Sequence, residues 1–415
     1  MRPEMPTFTQ IAAALTALYL VIARCMRFRR AQRIASPFKD GGRPLSSMTT
    51  PEAFAIMNQL QSLEFPYAMN KARSIALLKA GGIPTMSKLF AVTGQNNNRN
   101  AGKRAADTEI LLRESQTQAR NSERYMNAVA RMNYLHARYR RAGKILDADL
   151  LHTLGDGAQE IVQIIDKEEW RTLSNAEKCA IGVFHYNLGT DLEIPFTPLK
   201  SSKTGWHDGL HFLDELIQWT TMYEREVAEP TTTGDQYVRV YVDSAAKKLG
   251  RPLISLLRQV VGFDLDDIMR TSLCIEAPGL ILSTVLSAVR SIRKFLLRYL
   301  ALPRPQALAH QSVAATTNAM GLYNFSHGGF QPWYILPCFS STWHPSAVLL
   351  RLFGARKPGS HGNKFKPMGY DLKTIGPSPQ EGRGAEEMSA TVNRMKARHF
   401  ESCAFPSIRN EHSHV

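Results

Sequence analysis

Three groups of side chains have the types and the spacing to do chemistry. His136 lies in ARMNYLHARYRR, among Met132, Tyr134, Leu135 and Tyr139. A neutral imidazole on an apolar helix face suits a haem iron ligand. On local features alone, a core histidine satisfied by its neighbours is the commoner case. His207 and His211, in TGWHDGLHFLDEL, stand at i and i+4 and share a face if the helix starts by Trp206. Such a pair binds zinc or iron, with Asp214 and Glu215 near enough in sequence to orient an imidazole or complete a ligand set. With Gly209 in the first turn, the other reading puts His207 ahead of the helix and buries only His211. Arg104, Asp107 and Thr108, in GKRAADTEIL, stand at i, i+3 and i+4. They present a guanidinium, a carboxylate and a hydroxyl on one helix face; an outward, salt-bridged surface has the same pattern.

Other chemistries lack local support. The chain has no GxSxG elbow, no Walker loop, no HExxH and no Rossmann glycine fingerprint. Its five cysteines are odd in number, far apart and without a CxxC pair, so neither a disulfide framework nor a zinc site is indicated. A reducing compartment such as the cytosol fits.

Helices must position these groups. Thr49, Thr50 and Pro51 form a helix start. A second helix over Tyr67 to Lys79 is stopped by Gly81, Gly82 and Pro84. A third runs from about Lys103 to Gln118 and carries Arg104, Asp107 and Thr108. Asn121, Ser122 and Glu123 open the next, which carries His136 and stops at Gly143. Further helices are expected from Asp147 towards Ile165, from Ser174 to Leu188 with Gly189 ending it, and over Asp208 to Glu226. Leu280 to Leu300 interleaves Arg290, Arg293, Lys294 and Arg298 with apolar residues. That pattern fits a helix lying on a membrane and equally an ordinary surface helix with a buried stripe. No alternating apolar run is long enough for a sheet, so the fold class is all-α.

Phe8 to Ala23 is uncharged and mostly apolar, and Arg24, Arg27, Arg29, Arg30 and Arg33 follow it. A cleaved signal peptide carries its charge on the other side of the apolar run, so an uncleaved anchor is expected. The positive-inside rule keeps the arginines cytosolic and sends the amino terminus to the lumen. The expected organisation is an anchor with basic flank at 1–33, a linker at 34–50, a helical domain at 51–345 and an irregular tail at 346–415. A net charge of +15 and a pI near 9.7 call for an anionic partner. No nucleic-acid-binding signature is present, and the basic residues flank apolar segments, so a membrane face is the better match.

The blocks FPYAMNKARSIALLKAGGIPTMSKLFAVTG, KRAADTEILL, SERYMNAVARMNYLHARYRRAGKI, WHDGLHFLDELIQW and GNKFKPMGYDLKTIGP, in this order behind the anchor, resemble the MpaB family of fungal ER-bound oxygenases, of the mycophenolic acid biosynthesis type. That family is similar, at a distance, to the latex-clearing proteins, the rubber oxygenases. The resemblance implies a single transmembrane helix followed by a large all-α domain that binds haem b, in the ER membrane. It implies an oxidoreductase of secondary metabolism that uses O2 on a lipophilic prenyl or terpenoid substrate, inserting oxygen or cleaving a C=C bond. His136 matches the axial haem ligand, and Arg104 and Thr108 match the distal arginine and threonine. Asp107 stands where the bacterial enzymes carry a lysine, and the resemblance suggests a proton-relay role for it. Two other readings stay open: a non-haem metal oxygenase using His207, His211 and a carboxylate, and a non-catalytic membrane-bound helical scaffold or carrier.

Overall fold

Thr49 opens the first helix of the folded body as its sequence dictates. Its hydroxyl accepts from the Glu52 amide, the Glu52 carboxylate accepts from the Thr49 amide, and a proline occupies the first turn. The computed structural model describes residues 7–39, 41–243, 251–326, 330–397 and 404–405. In chain order its helices are α1 Phe8–Arg27, α2 Arg29–Ala35, α3 Thr50–Gln59, α4 Pro66–Lys79, α5 Pro84–Val92 and α6 Ala101–Thr117. There follow α7 Glu123–Arg141, α8 Asp147–Glu168, α9 Asn175–Asp191, α10 Gly209–Val227 and α11 Thr232–Val238. The last are α12 Arg251–Gly262, α13 Asp267–Ser272, α14 Leu280–Phe295, α15 Phe339–Trp343, α16 Pro345–Leu352 and α17 Ala385–Lys396. Among the described residues the only β pairing is two isolated bridges, Val313 with Phe325 and Tyr323 with Tyr370.

The core lies where α3, α4, α8, α9 and α10 pack together, with the α6–α7 hairpin on one side. α9 and α10 cross closely because glycine faces glycine. A Cβ on Gly182 would fall 1.8 Å from the Gly209 carbonyl oxygen. Gly182→Ala should therefore cost about 1–3 kcal/mol through forced separation of the two helices, read as a lower melting temperature by circular dichroism. Gly189 does not end α9, contrary to expectation; the helix runs on to Asp191 because Leu154 and Phe196 pack against the glycine. At the end of α7, Gly143 has φ +65°, a conformation that favours glycine, so the turn expected there forms.

The linker and tail of the sequence reading are parts of the body. Met48 is buried in the core, and the Leu45 carbonyl accepts from the Cys179 thiol. The stretch after residue 345 is not an irregular appendage. α17 packs on α7 and buries Met388, Val392 and Met395. Arg131 of α7, fully buried, donates to the carbonyls of Ile375, Gln380 and Arg383. A buried guanidinium needs such acceptors, and here they all come from the chain's last fifty residues. The four cysteines among the described residues are free; Cys403 lies outside them.

Among the described residues, the helical run Phe8–Phe38 that begins with α1 is the one that by itself is long and apolar enough to cross a membrane, and α1 is almost wholly exposed. α14 leaves its apolar side exposed as well.

Candidate active site

α6 and α7 form an antiparallel hairpin, so the start of α6 lies beside the end of α7. Asn100 precedes the first, and Ser122 caps the second by accepting from the Tyr125 amide. This geometry brings Arg104 close enough to His136 for its charge to oppose protonation of the ring. The imidazole is pushed down to about 4 by burial, then by Arg140 and Arg104. Neither ring nitrogen has a hydrogen-bond partner among the described residues. The ring is thus neutral at physiological pH with its nitrogens open, the state a metal ligand needs.

Arg104 donates to Gln95 Oε1 at 3.2 Å and makes no ion pair among the described residues. Tyr241 donates to the Gln95 carbonyl at 3.2 Å, and burial pushes its phenol up to about 12. It lies in a π-helical turn, Arg239–Asp243, that continues α11. Gln95 thus ties Arg104 to Tyr241. Both partners escaped the sequence reading, since one sits in a polar loop and the other in an apolar run, and neither has a spacing signal. Thr108 is half-buried one turn after Arg104, and its hydroxyl makes no hydrogen bond among the described residues.

Asp107 is held between two donors. It is buried, its Oδ2 accepts from Lys103 at 2.9 Å, and its Oδ1 accepts from the Tyr334 hydroxyl at 2.8 Å. Burial raises its pKa against the pull of Lys103 and Tyr334. Each oxygen takes one of these bonds, so Asp107 fastens α6 to the C-terminal segment through Lys103 and Tyr334. Lys103 also pairs with Glu381 at 3.1 Å, which reinforces the same join.

His207 and His211 do not form a two-histidine face. The helix begins at Gly209 with Asp208 as its cap, which places His207 before it. The His207 amide donates to His211 Nδ1 at 3.3 Å, and the rings stack at 5.0 Å. Glu215, expected to serve a metal, is held by the Trp206 indole at 2.6 Å and the Ser201 amide at 2.7 Å. Asp214 is exposed. The pair builds the α10 start.

Two further sites have no counterpart in the sequence reading. His152, Asp156 and Glu224 place ligand atoms within 4.8 Å of one another, but the Lys79 ammonium already sits among them. It lies 2.7 Å from Asp156, 2.8 Å from Glu224 and 3.0 Å from Glu160. The cation this cluster needs is supplied by the chain. The second is a polar cavity of about 250 Å³, lined among others by Arg73, Arg113, Arg124, Asn70 and His310. It lies toward the other end of α6, and none of Arg104, Thr108 and His136 lines it.

No protein-family model matches the chain. It is 36% identical to "ER-bound oxygenase mpaB'" of Penicillium brevicompactum over 393 residues, 93% of this chain and 92% of the relative. The chain belongs to the MpaB family of ER-bound oxygenases. A second relative, "ER-bound oxygenase mpaB" of the same species, is 36% identical over 85% of this chain and 84% of its own length. The mpaB oxygenase of Penicillium roqueforti (strain FM164) is 36% identical over 65% of this chain and 91% of its own. As an MpaB-family member, the chain is an oxidoreductase, and its apolar α1 accords with association with the ER membrane.

Proposed function

We propose that this MpaB-family oxygenase is haem-dependent, with His136 as the residue that would hold the haem iron. It would insert oxygen into, or oxidatively cleave, a C=C bond in a prenyl, terpenoid or related lipophilic intermediate of fungal-type secondary metabolism. The observation that carries the reading is the approach of Arg104, which makes no ion pair among the described residues, to a neutral His136 that has no hydrogen-bond partner among them. The donor set fits haem b: an open imidazole nitrogen and, near it, a cation able to face an anionic oxygen or a propionate.

Haem, when bound, supplies the activation of dioxygen. The chain's own residues do the rest. Arg104 adds to the burial and the Arg140 charge that keep His136 unprotonated, and would offer a fixed positive charge to an anionic oxygen beside it. Gln95 restrains the guanidinium, and Tyr241 restrains Gln95. The Thr108 hydroxyl is free to donate in the same direction. The basic flank Arg24 to Arg33 sets the orientation, with the amino terminus lumenal and the helical domain cytosolic. A lipid-soluble substrate then reaches the domain from the bilayer.

The test is the ultraviolet–visible spectrum and pyridine haemochrome of the detergent-purified protein. A haem b spectrum is expected. A folded, colourless protein that retains oxygenase activity overturns the reading. Arg104→Gln should keep its haem and lose about 10²–10³-fold in turnover, the range seen when one preorganised charge-stabilising donor is removed; steady-state oxygen uptake checks it.

A further inference from the structure

α14 is amphipathic, but its two faces are used the opposite way from those of a water-soluble surface helix. Its charges dock on the protein. Arg290 pairs with Glu168 at 3.0 Å and also with Asp264, and Arg293 pairs with Glu169 at 2.8 Å. Lys294 donates to the Lys167 carbonyl at 3.1 Å. Arg290 and Arg293 also lie over the rings of Phe263 and Tyr67, at 4.1 and 4.2 Å. Meanwhile Ile281, Val285, Val289, Ile292, Leu296 and Tyr299 fall on one stripe at helical spacing and face outward. Ile281 is 82% exposed and Ile292 59%. None of the residues of α14 is buried. A soluble helix hides its apolar stripe and wets its charges; a contiguous exposed stripe of this size marks a surface that something apolar covers.

The neighbouring helix says what covers it. The chain leaving α14 runs along α1. The Tyr19 hydroxyl donates to the Leu300 carbonyl at 2.7 Å, and Arg27 donates to the carbonyls of Ala301 and Leu302. Arg30 reaches the Arg304 carbonyl. Tyr19 stands five residues inside Arg24, the first of the interfacial arginines, or about 7 Å deeper along a helix rising 1.5 Å per residue. Leu300 is therefore held beside the apolar part of α1, on the amino-terminal side of those arginines.

We propose that the exposed stripe of α14 is a second membrane contact, lying in the cytosol-facing leaflet beside α1, with the lipid bilayer as its occupant. The depth fits an interfacial helix, whose apolar face sinks about 5–10 Å into the boundary of headgroups and acyl chains. The inverted charge pattern follows: the arginines serve as struts to α8, and the bilayer takes the apolar side. α1 fixes one point of the domain, and α14 fixes its tilt and rotation. The inference holds whether or not the oxygenase uses haem.

The full chain, with its native cysteines replaced, is placed in phosphatidylcholine nanodiscs and spin-labelled after Val285→Cys, Ile292→Cys or, as a water-facing control, Lys203→Cys. Power saturation is read with oxygen and with a water-soluble nickel chelate. Labels at 285 and 292 should favour oxygen over nickel several-fold more than the control does. Nickel access equal to the control overturns the proposal. Exclusion of both relaxants with dipolar broadening also overturns it, since it would mean that a second copy covers the stripe; exclusion of both without broadening would mean a different protein partner does.

Discussion

His136→Ala should purify colourless while keeping the helical circular dichroism of the parent. The ring lies at the margin of the core: it is only partly buried by its surroundings, and its nitrogens hold no other group among the described residues. Its removal therefore takes away a ligand rather than a strut. Loss of a residue that only supports a metal ligand costs about 10–100-fold in affinity, and loss of the ligand itself should exceed that, leaving no stoichiometric haem after purification. The pH profile gives an independent reading. With its pKa at about 4, His136 is neutral through the physiological range. Haem retention should stay flat from neutral pH down to about 5 and fall only near 4. An unperturbed histidine would begin to fail near 6.5. The same shift has a sign for stability. Between 6.5 and 4 the unfolded chain binds the proton that the folded ring refuses, so this contribution is whole above 6.5 and is lost as pH falls toward 4. His185, buried and also held at about 4, adds in the same direction.

Lys79→Met should cost about 3–5 kcal/mol of stability at pH 8. Lys79 is 1% exposed and faces Asp156, Glu160 and Glu224. Burial alone would lower its pKa, but the three carboxylates outweigh that and hold the ammonium charged. Removing it strands those carboxylates among α4, α8 and α10 without a counter-charge, at a cost of about 3–5 kcal/mol. A domain has only about 5–15 kcal/mol in total. The cost should shrink at pH 5, where the carboxylates can take up protons. Glu160 already shows the tendency: burial pushes it up to about 7 even beside Lys79. Its raised folded pKa means that stability is present below 4.5 and is lost as pH rises through 7. Melting temperatures of parent and variant at pH 5 and pH 8 test this. An equal gap at both values would show that the methionine fails for reasons of shape.

The helices of the site were legible in the sequence because their signals are local. Ser122 caps, periodic apolar residues and Gly143 delimit α7 without reference to the rest of the chain. The Arg104 to His136 approach also follows once two helices joined by a short turn are read as a hairpin. What stayed hidden is non-local. The Asp107 carboxylate has the right spacing for a site residue, yet its fate is set by Tyr334, far along the chain. The Lys79 cluster is assembled from four ordinary charged residues on three helices; Asp156 and Glu160 stand at i and i+4, but two like charges at that spacing do not point to Lys79 or Glu224. α14 read as basic and amphipathic, but sequence periodicity cannot say which side faces the protein. The histidine pair misled because its i, i+4 spacing straddles a helix start.

The buried Arg131 sets an order for biosynthesis. It lies in the helix that carries His136, and its three carbonyl acceptors lie between Ile375 and Arg383. During translation α7 is made long before those acceptors exist, whereas the hydrophobic α1 leaves the ribosome first. Until the stretch from Ile375 to Arg383 is made, the guanidinium lacks its three carbonyl acceptors, and the buried packing of α7 is incomplete. The helix that carries His136 therefore settles only after that stretch is made. A message truncated before the codon for Gln380 should yield material for quality control and no partial enzyme.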